Sequence, residues 1–342
     1  MPRLASGPLD PAAIFAPLDE FPSLGLAVSG GADSLALMLL ASRYAKSPET
    51  RSRFFVYSVD HGLRPEAADE VAFVCREAER LGFHARPLRW EGKKPGSGIQ
   101  QAARKARYTL IAEAMDADRV SVLLTAHHLQ DQAETVLMRL AHGSGLEGLR
   151  GMDYFSALGD LQVVRPLLDV DPDQLRAVVA EAGLTPVTDP SNADADYERV
   201  RWRRAMPLLA SLGLDASRIG RFAERMRDAD RAIEQLASRA LASEVGVDLA
   251  TRARQFDRSW LRAQPHAVAV RVVQRVLDHV GGGQKPHALG AVEALTDRLI
   301  REPLKTTLHG CVVTSDGDTI RIAPEPGRAA AAERRRRQPS SA

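Results

Sequence analysis

The chain has little of what marks a secreted, membrane-spanning or cysteine-built protein. Its 342 residues include two cysteines, Cys75 and Cys311, too few for a disulfide framework or a cysteine-rich metal or iron–sulfur site. It has no run of about 18 apolar residues, so we expect no membrane-spanning helix. Residues 1–17 lack the basic start and apolar core of a signal peptide. These absences favour a cytoplasmic protein with no membrane partner.

Net charge is also small. The 46 Lys and Arg residues against 44 Asp and Glu leave a formal charge of +2. Residues 329–342 alone hold four arginines against one glutamate, so the remainder is close to neutral. An argument for nucleic-acid binding must therefore rest on local arginine clusters. We expect residues 326–342 to be a disordered basic tail and residues 1–20, rich in Pro and Ala, to be a flexible N-terminus.

Apolar runs alternate with helix-forming stretches between residues 21 and 213. The predicted strands cover residues 24–29, 54–59, 83–90, 120–125 and 161–166. Helical patterns separate most of these runs, and another follows Asp171 over residues 172–182. This alternation predicts an α/β fold with a doubly wound, mostly parallel sheet. In such sheets ligands bind at the carboxyl ends of the strands.

A smaller, mainly helical C-terminal domain is predicted over residues 214–325. A long helix over about residues 216–241 is followed by helical stretches at 259–280 and 287–301. Short β-forming runs then appear at 306–308, 311–314 and 319–322. Asp316-Gly317 separates the last two runs, so the domain is expected to end in a small β hairpin.

A turn of small residues joins the first predicted strand to a helix. It reads Ser29, Gly30, Gly31, Ala32, Asp33 and Ser34. The backbone N–H groups at the start of a helix lack intrahelical partners and bind anions, which predicts a phosphate site. Asp33 would face a phosphate only with a divalent cation between them. The alternative is a turn that uses small residues for packing and a serine cap.

A second polar stretch follows the fourth predicted strand. His127 and His128 precede a helix that carries Asp131 and Glu134 one turn apart. This carboxylate pair could hold Mg²⁺ or an ammonium group. The alternative is that the carboxylates complement the helix dipole and the histidines cap the helix. A zinc site would need a further ligand that the sequence does not offer.

Two further clusters fall near the same edge of the predicted sheet. Asp60 and His61 end the second strand, where doubly wound folds often bind a ribose or base; a loop leading into a helix is the equal alternative. Arg107 lies on a basic helix face and could clamp phosphates with two hydrogen bonds. Solvent exposure is the usual alternative for such a face.

Together these stretches resemble the tRNA(Ile)-lysidine synthases, which are PP-loop ATP pyrophosphatases. The matching segments are residues 29–34, 60–64, 103–108, 127–135, 165–167, 189–192 and 199–207. The resemblance spans about residues 20–210 and continues more weakly from Leu308 onward. One departure is visible, since Gln130 stands where the family usually has Asp.

The resemblance implies a two-step reaction with ATP and Mg²⁺. ATP would lie on residues 29–34, with Asp60 and His61 nearby, and Mg²⁺ on Asp33 and Asp131. The wobble cytidine of isoleucine tRNA with a CAU anticodon would be adenylated, and free L-lysine would then displace AMP. In this scheme Arg107 neutralises phosphate charge, Asp131 and Glu134 hold lysine, and His127 or His128 takes a proton.

An arginine-rich segment offers the expected contacts to tRNA. It contains Arg199, Arg201, Trp202, Arg203 and Arg204, four cations and one stacking surface. The sequence is also compatible with a homodimer. The rival interpretations are a PP-loop tRNA thiolase, which typically needs paired cysteines, and a nonenzymatic ATP-binding module.

Overall fold

The computed structural model describes residues 8–47, 50, 53–187, 197–282 and 289–326. The chain forms two compact units: residues 1–143 with 150–224, and residues 144–149 with 225–342. The units therefore divide inside a long helix rather than at the predicted position after residue 213. The predicted turn at 189–192 and nearly all of the predicted tail, residues 327–342, lie outside the described residues.

The first unit is built on a six-stranded sheet. Its strands are β1 (Leu24–Ala27), β2 (Phe54–Asp60), β3 (His84–Arg89), β4 (Val122–Leu124), β5 (Phe155–Leu158) and β6 (Leu161–Val164). They lie in the order β3-β2-β1-β4-β6-β5. All neighbours pair in parallel except β5 with β6. This confirms the doubly wound, mostly parallel α/β sheet.

Helices accompany the strands along the chain. They are α1 (Pro11–Phe15), α2 (Ala32–Tyr44), α3 (Ala67–Arg80), α4 (Ile99–Asp118), α5 (Leu129–Ala141), α7 (Pro172–Glu181) and α8 (Glu198–Ser211). The short α6 (Leu146–Leu149) belongs to the second unit. The predicted cap of α7 is present, because the Asp171 carboxylate accepts the Asp173 N–H at 2.8 Å.

The N-terminal segment requires a correction, because its described part is folded rather than flexible. Asp10 caps α1, and Ile14, Phe15 and Leu18 are buried in the core. The Phe15 ring lies 5.9 Å from that of Phe54 on β2. Removing these side chains from water stabilises the packing of the segment against the sheet. The prediction of flexibility was based on the Pro and Ala content of residues 1–20 and did not take these apolar side chains into account.

The second unit combines helices with a five-stranded antiparallel sheet. Its helices are α9 (Ala216–Glu244, whose first residues belong to the first unit), α10 (Arg258–Ala263), α11 (His266–Gly281) and α12 (Leu289–Arg301). Its strands are β7 (Gly246–Val247), β8 (Arg254–Asp257), β9 (Leu304–Leu308), β10 (Cys311–Asp316) and β11 (Thr319–Pro324), in the order β7-β8-β11-β10-β9. The predicted hairpin is present as β10 and β11, but it belongs to a larger sheet.

Pro265 divides the helix that was predicted over residues 259–280. Pro265 lies between α10 and α11. The helix is interrupted there because proline lacks the N–H group that a continuous helix needs. Buried side chains of α11, among them Val272 and Val276, pack with Val313 and Ile320 of the sheet. Among the described residues, no helix is both long and apolar enough to cross a bilayer.

Candidate active site

The turn between β1 and α2 is held by its own serines. The Ser29 N–H donates to Ser34 Oγ at 3.2 Å, and Ser34 Oγ donates to the Gly31 carbonyl at 2.9 Å. Gly31 is the residue before the helix, which begins at Ala32. The first turn of α2 therefore presents backbone N–H groups and the positive end of the helix dipole at the carboxyl end of β1.

Gly30 has a conformation and a neighbour that both require glycine. Its φ is +84°, in the left-handed region. A Cβ at this position would lie 2.9 Å from Val187 Cγ2. The Gly30 carbonyl also accepts the Val187 N–H at 2.9 Å, so the segment after α7 holds the turn in place.

A cavity of about 430 Å³ opens in front of this turn. The predicted site residues that line it are Ser29, Gly31, Asp33, Ser34, His61, Arg107, His127 and Arg203. Gly30 and Ala32 are not among the lining residues. Tyr108 also lines the cavity, and the guanidinium group of Arg107 lies 5.2 Å from the centre of its ring. The volume is within the range of small-molecule sites.

Asp60, predicted to bind ATP, shapes a loop instead of lining the cavity. Its side chain is buried and accepts the Gly62 N–H at 2.7 Å, while Arg89 lies 3.7 Å away. Asp commonly bonds the backbone two residues further on, and here the bond holds the turn that carries His61 to the cavity. His61 therefore keeps its predicted position, and the contribution of Asp60 is indirect.

His127 lines the cavity as a neutral imidazole. Its Nδ1 is 2.9 Å from Thr125 Oγ1, which fixes the orientation of the ring. Burial, and after it nearby guanidinium groups, Arg165 foremost, lower the pKa of His127 to about 3 against the opposing charge of Asp131. A group with this pKa is unprotonated at pH 7, and the same low pKa makes it a weak base.

His128 is in the opposite electrostatic situation. Its Nε2 lies 3.5 Å from both Asp33 Oδ2 and Asp131 Oδ2, so the ring connects the phosphate turn to α5. Burial alone would lower the pKa of His128, but the contact with Asp33 and the charge of Asp131 raise it above its usual value. The pKa values of these two adjacent histidines therefore shift in opposite directions, because only His128 lies against carboxylates.

The two carboxylates of α5 are paired with arginines of α8. Glu134 is fully buried; Oε2 accepts Arg199 Nε at 2.9 Å, and Oε1 accepts Arg203 Nε at 3.0 Å. Arg199 also donates to Asp131 Oδ1 at 2.9 Å. Burial raises the pKa of Asp131, yet the charges of His128 and Arg199 outweigh it and hold the pKa below its usual range. Asp131 is therefore ionised at neutral pH.

This pairing differs from the predicted role of two arginines. Arg199 and Arg203 were expected to contact tRNA phosphates, but in the structure both lie against α5. They are four residues apart and therefore share one face of α8. Arg201, Trp202 and Arg204 stay predicted tRNA contacts. Gln130 Nε2 donates to Glu134 Oε1 at 3.1 Å, so the residue that departs from the family pattern supports the same carboxylate.

The donor set fits Mg²⁺ at one of the two predicted carboxylates. Asp33 has a partly exposed side chain beside the phosphate turn, as a magnesium ligand shared with substrate phosphates requires. Asp131 is already bonded to Arg199 and to the His128 N–H. Among the described residues no group of three or more His, Cys, Asp or Glu side chains is arranged so that it could hold a metal ion. The geometry therefore favours Asp33 over Asp131.

The fold and the site define a nucleotide-binding protein of the PP-loop class. A glycine turn follows the first strand of a parallel sheet, and its cavity is bordered by polar groups from two later strand ends. Residues 11–209 match the PP-loop domain family. PP-loop domains bind ATP, which agrees with the position of the cavity.

Comparison with curated relatives identifies the family within this class. The chain is 40% identical to the tRNA(Ile)-lysidine synthase of a Bradyrhizobium strain, over 92% of this chain and 93% of that protein. It is 42% identical to that of Rhodopseudomonas palustris, over 92% and 94%, and 43% identical to that of Methylobacterium nodulans, over 89% and 91%. The chain belongs to the tRNA(Ile)-lysidine synthase family.

A solved structure gives the fold independently. The U34-tRNA thiolase of Methanococcus maripaludis, which carries a [4Fe-4S] cluster, superposes with a TM-score of 0.52 over 63% of this chain and 77% of its own. At 17% identity the likeness concerns the fold alone. The two cysteines of the present chain belong to different units, Cys75 to α3 of the first and Cys311 to β10 of the second.

Proposed function

We propose that this protein uses ATP to join free L-lysine to carbon 2 of the wobble cytidine in isoleucine tRNA with a CAU anticodon. The observation that carries the proposal is one continuous cluster. Asp33 of the phosphate turn meets His128, His128 meets Asp131, and Asp131 shares Arg199 with Glu134. A phosphate site and a site for an ammonium group are thus adjacent.

In the first step the carbon-2 oxygen of the cytidine attacks the α-phosphorus of ATP, and pyrophosphate leaves. The backbone of residues 29–34 binds the phosphates, and Arg107 stabilises the charge that develops on them. Asp33 would hold Mg²⁺, which supplies further charge neutralisation when bound. The product is a tRNA adenylated at carbon 2.

In the second step the ε-amine of lysine forms a bond to carbon 2, the carbon–oxygen bond breaks, and AMP leaves. Asp131 and Glu134 bind the ammonium form of the amine. The amine must lose a proton to react, and His127 is the ring with an unprotonated nitrogen. With a pKa of about 3 it becomes an effective base only once the negative charge of the bound nucleotide raises that pKa. The two carboxylates beside His128 favour its charged form, and its ring connects the two sites.

The decisive experiment measures pyrophosphate release and incorporation of labelled lysine with ATP, Mg²⁺ and the isoleucine tRNA. We expect both products, and we expect neither with an isoleucine tRNA whose anticodon lacks the wobble cytidine. In Asp33→Ala we expect loss of both products with the fold retained, checked by circular dichroism. Pyrophosphate release without lysine incorporation by the wild-type protein would contradict the proposal, as would full activity of Asp33→Ala.

A further inference from the structure

The lysine-binding carboxylates proposed above are already fully bonded in this structure. Glu134 has no exposed surface, and both of its oxygens accept hydrogen bonds from guanidinium groups. Oε1 also accepts a bond from Gln130. An ammonium group can reach Glu134 only if one of the two arginines gives up its place. Removing one of the two cations from this buried carboxylate is unfavourable even while the other stays, so the exchange must be one cation for another.

The two arginines are not equivalent as candidates for this exchange. Arg199 donates to Glu134 Oε2, to Asp131 Oδ1 and, at 3.4 Å, to the Asp131 carbonyl. Within the part of the chain that the structure describes, Arg203 makes one hydrogen bond, to Glu134 Oε1, and its Nη2 lies 3.7 Å from Asp131 Oδ1. The Arg203 side chain is also the more exposed, 43% against 37%. Arg203 is therefore the more weakly held of the two.

Arg203 also borders a second possible binding partner, the ATP phosphates expected in the cavity. It lines the nucleotide cavity together with Ser29, Asp33 and Ser34, whereas Arg199 is not among the lining residues. A guanidinium group binds phosphate oxygens with two parallel, charge-assisted hydrogen bonds. The triphosphate of ATP would bring several negative charges to the cavity that Arg203 borders, whereas Glu134 carries one.

We propose that Arg203 is a ligand of the ATP phosphates, and that its transfer from Glu134 to the phosphates opens the carboxylate pair to lysine. The inference rests on the proposed function and adds to it a binding residue and a coupling between the two substrates. Lysine replaces Arg203 at Glu134, so the charge of the cluster is the same before and after. Because coupling of two ligands is reciprocal, lysine also strengthens nucleotide binding.

The test measures binding of labelled L-lysine by equilibrium dialysis, without tRNA, in the presence and absence of α,β-methylene ATP and Mg²⁺. For the wild-type protein we expect the analogue to tighten lysine binding by about tenfold, a typical coupling between two sites. In Arg203→Met we expect lysine to bind equally with and without the analogue, and the analogue itself to bind more weakly. Arg203→Lys keeps a cation and should retain part of the coupling.

Arg176→Gln is the matched control. It removes a guanidinium group from the exposed face of α7, where Arg176 pairs with Asp173, and should keep the wild-type coupling. The inference is overturned if the analogue leaves wild-type lysine binding unchanged, or if folded Arg203→Met keeps the coupling. If lysine incorporation is intact in that case, the proposed function stands. If lysine neither binds nor is incorporated, both are overturned.

Discussion

Two helix pairs of this protein carry the same pattern of charge, one in each compact unit. In both, two carboxylates three or four residues apart on one helix face two arginines four residues apart on another. The pairs are Asp131 and Glu134 with Arg199 and Arg203, and Asp230 and Glu234 with Arg271 and Arg275. The spacing places all four groups on facing helix surfaces in each case.

The surroundings of the two clusters differ. Asp230 and Arg271 have side chains only 4% and 11% exposed, and Arg271 also donates to Glu234 at 2.9 Å. That cluster fastens α9 to α11. In the first unit the arginines are 37% and 43% exposed, and Asp131 contacts a histidine that reaches the phosphate turn. An ion-pair pattern of this kind is enough to hold two helices together. What distinguishes the first cluster is the cavity and the histidines beside it.

The largest effect that separates the clusters is expected from Glu134→Gln. The amide lacks the negative charge that attracts an ammonium group and presents one acceptor oxygen instead of two, so we expect lysine incorporation to fall by about a thousandfold, equivalent to about 4 kcal/mol in the barrier. Pyrophosphate release should fall far less. The measurement is the ratio of labelled lysine incorporated to pyrophosphate released. An equal loss of both products would show that Glu134 acts in the first step or only in folding.

The matched change in the second unit is Asp230→Asn. It leaves Arg271 buried beside one carboxylate instead of two, and we expect the free energy of unfolding to fall by about 3 kcal/mol. Lysine incorporation per folded molecule should be unchanged. Urea unfolding followed by circular dichroism measures the first quantity. If activity fell while stability did not, the second cluster would need a role beyond fastening the helices.

A smaller effect distinguishes the histidines beside the first cluster. The folded protein resists protonation of His127 down to about pH 3, whereas the unfolded chain takes up this proton below about pH 6.5. Between pH 8 and pH 5 the wild-type protein therefore loses about 2 kcal/mol through this group. His127→Gln has no such group. We therefore expect its free energy of unfolding, relative to that of the wild type, to be about 2 kcal/mol higher at pH 5 than at pH 8.

His128→Gln should shift in the opposite direction. A raised pKa stabilises the fold below the pKa of the unfolded state, and this contribution is lost as pH rises through the pKa of the folded state. His128→Gln lacks this contribution, so its loss of unfolding free energy relative to the wild type should be larger at pH 5 than at pH 8. Urea titrations at both pH values give the comparison. Shifts of the same sign in both variants would contradict the assignment of charge to the two rings.

The sequence was sufficient to predict most of the first unit. Its parallel strands are continuous apolar runs. The turn of residues 29–34 is a run of small residues between a strand and a helix, which is typical of a phosphate site. β5 was missed although Gly159-Asp160 between two apolar runs is a hairpin signal. β7 and β8 gave no such signal, because one has two residues and the other reads Arg-Gln-Phe-Asp.

The partners within the site could be predicted only in part. The contact of His128 with Asp131 is local, since the two residues are one helical turn apart. The pairing of Glu134 with Arg199 joins helices far apart in the chain. The four-residue spacing of Arg199 and Arg203 predicts a shared face of a helix but does not say what that face meets. That information lies in the packing of α5 against α8.

The support of Gly30 by Val187 limits how this protein can change over generations. A mutation that enlarges residue 30 meets two separate obstacles, a backbone torsion that disfavours any β-carbon and a methyl group already in the space. Shrinking residue 187 would remove only the second. No single compensating substitution therefore makes a larger residue at position 30 acceptable, and we expect glycine to be retained there.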